Sequence, residues 1–220
     1  MKNFLKILFV LLLILLVRFI IAFIINETVI NNYNNKKYND DLIKTLYIFN
    51  ISESYIVYYN DGNISYMNNK YNDAIKKYND ALDRNPPTKR ACDIRVNLSL
   101  AYLKLIDKNG NKDEILKKLD EIKELLLKDG CASESGNDGK SNDSEELKQE
   151  VEKLEEQIKN GNATNDNNNG NDTNGEDDGK YDEIEQKIKE QEKNANTNRQ
   201  KDMSTYENLN NYSYYSGKRW

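Results

Sequence analysis

The chain has 220 residues and contains no histidine, two cysteines, two prolines, ten glycines and one tryptophan. The lack of histidine removes the usual general base near neutral pH, the commonest zinc ligand, and every Ser-His or Cys-His nucleophile arrangement. Two cysteines are too few for a zinc cluster or an iron–sulfur site. Two prolines and scattered glycines exclude collagen and argue against loop-rich all-β folds. A net charge of −5 argues against sequence-independent nucleic-acid binding, which requires a basic face. Only 37% of residues are apolar against 31% charged, and a large part of the apolar share sits in one N-terminal block. The remainder is poor in core formers. Carboxylates such as Glu145, Glu146 and Glu150 fall on a helix face with no pocket-forming apolar partners. The residues therefore assign no catalytic, cofactor-binding or metal-ligating position, no cofactor and no small-molecule substrate. Asn, Lys, Ile and Tyr are heavily used, as in AT-rich coding sequence, so single Asn-x-Ser/Thr matches such as Asn50-Ile-Ser carry little information.

What is present begins with FLKILFVLLLILLVRFIIAFII over residues 4–25. Ile7 to Ile25 is interrupted by one charge, Arg18, and is about the length that crosses a ~30 Å hydrocarbon layer as a helix. A secretory signal peptide has a shorter apolar run and a small-residue cleavage site. Here Asn26, Glu27 and Thr28 follow, so an uncleaved anchor is the expectation. Arg18 is expected to snorkel, with contact to a partner helix as the alternative. Lys2 and Lys6 lie closer to the lipid than Lys36 and Lys37. This bias predicts a single-pass protein with a cytoplasmic N-terminus and the bulk of the chain extracytoplasmic.

A period of 33 residues follows: Tyr38-Asn-Asp-Asp-Leu42 returns as Tyr71-Asn-Asp-Ala-Ile75. The clearest unit is Tyr58 to Pro86, YYNDGNISYMNNKYNDAIKKYNDALDRNP. Gly62, Ala74 and Ala81 are small residues where two antiparallel helices need close approach, with Tyr58 and Tyr78 as space-fillers and Pro86 as terminator. In this register the unit resembles the tetratricopeptide repeat, and the chain as a whole resembles a small, membrane-anchored bacterial protein of that family. Ile94–Tyr102 fits a first helix of a further pair. Asp113–Lys128 fits its second helix, with Ile115, Leu119, Ile122 and Leu126 at helical spacing but without the expected alanine. Lys37–Phe49 reads as a lone second-type helix. Ser144 opens a capping helix with Leu147, Val151, Leu154 and Ile158 as its stripe.

Cys92 falls at the start of one helix and Cys131 just past the end of the next. Antiparallel helices of similar length bring such positions to one end, so a Cys92–Cys131 disulfide closing about 40 residues is possible, two free thiols being the alternative. The bridge needs an oxidising compartment, which agrees with the predicted topology.

Residues 160–180 are an Asn/Asp/Gly linker read as disordered. Asn165–Glu176 approaches a calcium-loop spacing but places Asp172 where an apolar residue belongs. Residues 181–220 hold a weak helix and an aromatic-basic end in which Tyr212, Tyr214, Tyr215, Arg219 and Trp220 have the composition of a docking peptide.

The expected architecture is therefore all-α. It consists of a cytoplasmic stub and transmembrane anchor (1–26), a linker (27–36), a repeat-type α-solenoid of about 2.5 helix pairs with its cap (37–159), the polar linker (160–180) and the tail (181–220). In peptide-binding members of the repeat family the first helices line a groove, and two asparagines there hold the ligand backbone. The resemblance carries that role to Asn63 and Asn97, with Tyr59, Asn60, Tyr66, Leu100 and Lys104 as further groove positions. Tyr59 stands where the family's first carboxylate-gripping lysine would be, so the implied ligand is an extended protein or peptide segment and not a C-terminal carboxylate. The expected function is a non-enzymatic, membrane-tethered adaptor or scaffold with a protein partner and a lipid anchor. The alternative is a structural or assembly factor of the cell envelope (secretion, division or an ATPase-linked membrane complex) acting through the aromatic tail.

Overall fold

The computed structural model describes residues 2–49, 54–107, 110–132, 142–160, 186, 189–190 and 192–197. Among these every regular element is helical: α1 (Lys2–Asn34), α2 (Asp40–Phe49), α3 (Tyr55–Met67), α4 (Tyr71–Leu82), α5 (Thr88–Lys104), α6 (Lys112–Leu127) with a 3₁₀ turn over Lys128–Gly130, and α7 (Asn142–Asn160). Residues 192–197 are also helical. The chain divides into two compact units, one through Arg84 and one from Asn85.

In the first unit α1 is long and apolar enough to cross a membrane. Apolar side chains from Phe4 to Ile24 are exposed, whereas Val29, Ile30 and Tyr33 are buried. Those three pack with Ile43 and Leu46 of α2 and Val57 and Ile64 of α3. The segment read from sequence as a linker is thus mostly the last two turns of α1. The reason is local: Val29, Ile30 and Tyr33 recur at helical spacing, and burying them repays keeping the helix intact. The chain then turns through Lys36, whose φ is 57°, and doubles back as α2.

α3 and α4 form the unit's hairpin. Asn69 closes the turn in the left-handed region at φ 60°, a conformation asparagine tolerates better than most side chains. Ala74, Tyr78 and Ala81 are the buried row of α4. The Tyr78 ring lies against the α3 backbone at Gly62: a Cβ there would stand 2.6 Å from ring atoms Cδ1 and Cε1. Only glycine admits that approach.

In the second unit Pro86 and Pro87 precede α5. Proline disfavours helical geometry in the residue before it and is itself suited to a helix start. The side chain of Asn111 caps α6, accepting from the backbone N–H groups of Asp113 and Glu114. Asp113 and Glu114 also place negative charge at the positive end of the helix. Ile115, Leu119, Ile122 and Leu126 are its buried face. α7 begins at Asn142, so Ser144 sits inside its first turn, buried with Leu147, Val151 and Glu155. Cys92 and Cys131 form a disulfide across 39 positions of sequence with Cα atoms 5.3 Å apart. The antiparallel arithmetic of two similar helices holds.

Replacing Gly62 by leucine should destabilise the first unit by about 3 kcal/mol, because the Tyr78 ring has no room to retreat. Gly62→Ala should cost less, since its overpacking is offset by roughly 1 kcal/mol of helix propensity. Thermal melts followed by circular dichroism check the order. Loss of the bridge in a Cys92→Ser/Cys131→Ser double variant should cost roughly 4 kcal/mol from the loop it closes. The wild-type chain should run faster on a non-reducing gel than on a reducing one.

Candidate interaction surface

The sequence-predicted contact residues divide between the two units, and each set is described within its own. On α3, Tyr59, Asn60, Asn63 and Tyr66 are all buried. Asn63 is fully enclosed, and its amide oxygen accepts a 3.0 Å hydrogen bond from the Tyr78 hydroxyl. Tyr59 stacks at a tilt on Tyr78, with centroids 6.1 Å apart, and Tyr66 meets Tyr71 edge-on at 5.3 Å. Met67, at the end of α3, packs against the core shared with α1 and α2. In this conformation α3 is buried around most of its circumference, and Asn63 is engaged with its own hairpin partner.

On α5, Asn97 and Leu100 are buried. Lys104, one helical turn beyond Leu100, reaches the surface, where its ammonium pairs at 2.6 Å with the Glu192 carboxylate. The Asn97, Leu100, Lys104 row follows the i, i+3, i+7 spacing of one helix face, and its charged end is taken by a residue from the chain's own C-terminal region. Tyr212, Tyr214, Tyr215, Arg219 and Trp220 lie outside the described residues, as do residues 161–180.

Three polar clusters were not legible as sites in the sequence. In the first unit the Lys77 ammonium stands 2.8 Å from the Asp61 carboxylate and 3.0 Å from the Tyr47 hydroxyl, which itself donates to Asp61 at 2.5 Å. Lys77 also lies over the Tyr47 ring at 4.8 Å, and the Arg84 guanidinium lies 3.3 Å from the Tyr58 ring centroid. Burial, and then the hydrogen bond to Asp61, pushes the Tyr47 hydroxyl far above the ordinary phenol range. The hydroxyl is therefore held as a fixed donor, joining α2 to α3 and α4. The signal available in sequence was only the opposite charge of Asp61 and Lys77 on consecutive helices.

In the second unit the buried Arg95 guanidinium pairs with Asp129 and lies 3.3 Å from Cys131 Sγ. Asp129 adopts φ 58° in the turn after α6. An ionic clamp and a covalent one thus fasten the same turn to α5. The third cluster joins α6 to α7: Lys123 bonds Glu155 at 2.5 Å, and Lys159 bonds it at 2.9 Å. The bond to Glu155 raises Lys123 despite opposing desolvation. Burial works to raise Glu155, and the bonds from Lys123 and Lys159 outweigh it and hold the carboxyl below its usual value. No cluster of three or more Cys, Asp or Glu side chains arranged to hold a metal ion occurs among the described residues.

No family model, curated protein or solved structure matches the chain.

The signs of the two shifts set a pH window for the α6–α7 contact. The Lys123 contribution is complete below 10.5 and fades as pH rises through the raised folded value. The Glu155 contribution is present above 4.5 and fades as pH falls through the depressed folded value. Glu155→Gln should therefore lower stability at neutral pH by about 1.5 kcal/mol. The gap to wild type should close in acid, as measured by paired thermal melts.

Proposed function

We propose that the chain is a non-enzymatic, single-pass membrane-tethered adaptor whose helical units, of tetratricopeptide type, receive a protein or peptide segment. The observation that carries the reading is the continuity of α1. One unbroken helix is bare and apolar over its first two thirds and supplies Val29, Ile30 and Tyr33 to the first unit's core. A folded unit fused to its anchor in this way is held in a fixed position relative to the bilayer, which suits presentation of a binding surface. The Gly62–Tyr78 approach supports the repeat-type hairpin. The Cys92–Cys131 bridge supports an extracytoplasmic location of the bulk with the N-terminus in the cytoplasm, because disulfides persist in oxidising compartments.

The α5 face ending at Lys104 is the entry point this reading favours. Asn97 and Leu100 are covered, and Lys104 is the position of that row that a partner can reach first. Glu192 then acts as a stand-in for the carboxylate of an arriving segment, and the partner competes with it. The envelope assembly reading, through Tyr212, Tyr214, Tyr215, Arg219 and Trp220, rests on the composition of the tail.

Crosslinking in native membranes, with recovery of the same partner compared across variants, separates the two. The adaptor reading expects Glu192→Gln to raise recovery and Lys104→Glu to lower it by about tenfold, the equivalent of 1.4 kcal/mol. It also expects deletion of 205–220 to leave recovery unchanged. Loss on deletion, with both charge variants neutral, would replace the adaptor reading by the assembly-factor one.

A further inference from the structure

Arg18 interrupts the apolar face of α1, and its contact is specific: Nη2 donates to the backbone carbonyl of Ile48 at 2.6 Å. Ile48 belongs to the last turn of α2, whose carbonyls have no intrahelical donor and form the negative pole of the helix. The cation and the helix end therefore satisfy each other. Arg18 finds its partner inside its own unit, in place of the water or foreign helix expected from the sequence.

That contact fixes where α2 ends relative to the anchor. Phe4–Val17, before the arginine, covers only about 21 Å at 1.5 Å per residue, and a hydrocarbon layer is ~30 Å thick. To be spanned, the layer must extend past Arg18 over Phe19, Ile20, Phe23 and Ile24, all of them exposed. At that level it meets the end of α2. The side chain presented there is Ile48, 70% exposed although apolar.

We infer that the C-terminal turn of α2 is a second membrane contact, in which Ile48 seats among the acyl chains of the leaflet that surrounds Ile20 and Ile24. The occupant is lipid, because Ile48 continues the bare apolar surface of α1 and is tied to it by a residue of α1 itself. The arginine, with its charge met by the α2 carbonyl, is tolerated in the outer part of the layer at reduced cost. The anchor is then a helix with a short second element wedged beside it at the interface, and tilt of the first unit on the membrane is restricted. The inference rests on the membrane reading of α1.

The test uses the full chain with Trp220→Phe, so that one introduced tryptophan reports, in phosphatidylcholine vesicles brominated near either the carbonyl end or the middle of the acyl chains. Val10→Trp reports the span, Asn35→Trp reports water, and Ile48→Trp reports the wedge; unchanged helicity of each is checked by circular dichroism. The expected result is strong quenching of the Val10→Trp chain by mid-chain bromine. The Ile48→Trp chain should be quenched by carbonyl-proximal bromine with a blue-shifted emission, and the Asn35→Trp chain should not be quenched. Adding Arg18→Gln to Ile48→Trp should lose much of the shallow quenching. If Val10→Trp is quenched while Ile48→Trp resembles Asn35→Trp, the wedge is overturned and the anchor stands. If Val10→Trp is not quenched, the anchor fails and the wedge fails with it.

Discussion

Helix α1 carries two surfaces along one axis, a bare apolar one and one that packs into a protein core, and the first unit is arranged around that constraint. From Phe4 to Ile24 its apolar side chains are exposed, a stretch long and apolar enough to cross a membrane in an otherwise hydrophilic chain. Its last turns carry an apolar face that packs against α2 and α3. Within the bare stretch sits one charge, Arg18, and α2 is placed so that its carbonyl end meets it. Without the packing of its Ile43 and Leu46 on the last turns of α1, α2 would be a ten-residue helix of marginal stability with no reason to fold back.

Away from α1 the two units solve the shortage of aliphatic residues differently. The first relies on tyrosine. Tyr33, Tyr47, Tyr58, Tyr59, Tyr66 and Tyr78 bring large apolar area together with hydroxyls that need partners, and Asp61, Asn63 and Lys77 supply several of them. Such a core is specific because a displaced ring leaves a buried polar group unmet. The second unit has more leucine and isoleucine at helical spacing, and it secures the ends of its helices with the disulfide, the Arg95–Asp129 pair and the Lys123–Glu155–Lys159 bridge. The bridge is worth more than a surface pair because Glu155 is enclosed and bonded twice.

The all-helical class, the long apolar N-terminal helix, the α3–α4 hairpin and the cysteine pairing were legible because each follows from periodicity or from the arithmetic of antiparallel lengths. Gly62 could be singled out because a small residue opposite an aromatic has one economical explanation. The extension of α1 over residues 27–34 was missed because Asn26, Glu27 and Asn31 hid the buried row at Val29, Ile30 and Tyr33. The destination of Arg18 and the pairing of Lys104 with Glu192, 88 positions apart by their numbers, depend on tertiary placement that spacing does not encode. The same holds for the candidate face on α3. Spacing grouped Tyr59, Asn63 and Tyr66 on one helix but could not reveal that Tyr59 and Asn63 would meet Tyr78, and Tyr66 would meet Tyr71, in α4.

The bridge at Cys92 and Cys131 also determines how the chain would carry mechanical load. Tension applied between α1 and the C-terminal region passes along α4 into the start of α5, crosses the sulfur–sulfur bond, and leaves through the turn at Ala132. The intervening hairpin of α5 and α6 hangs as a closed ring outside that line of force. The α5–α6 hairpin is then insulated from stretching of the chain, and only a reductant would put it under strain.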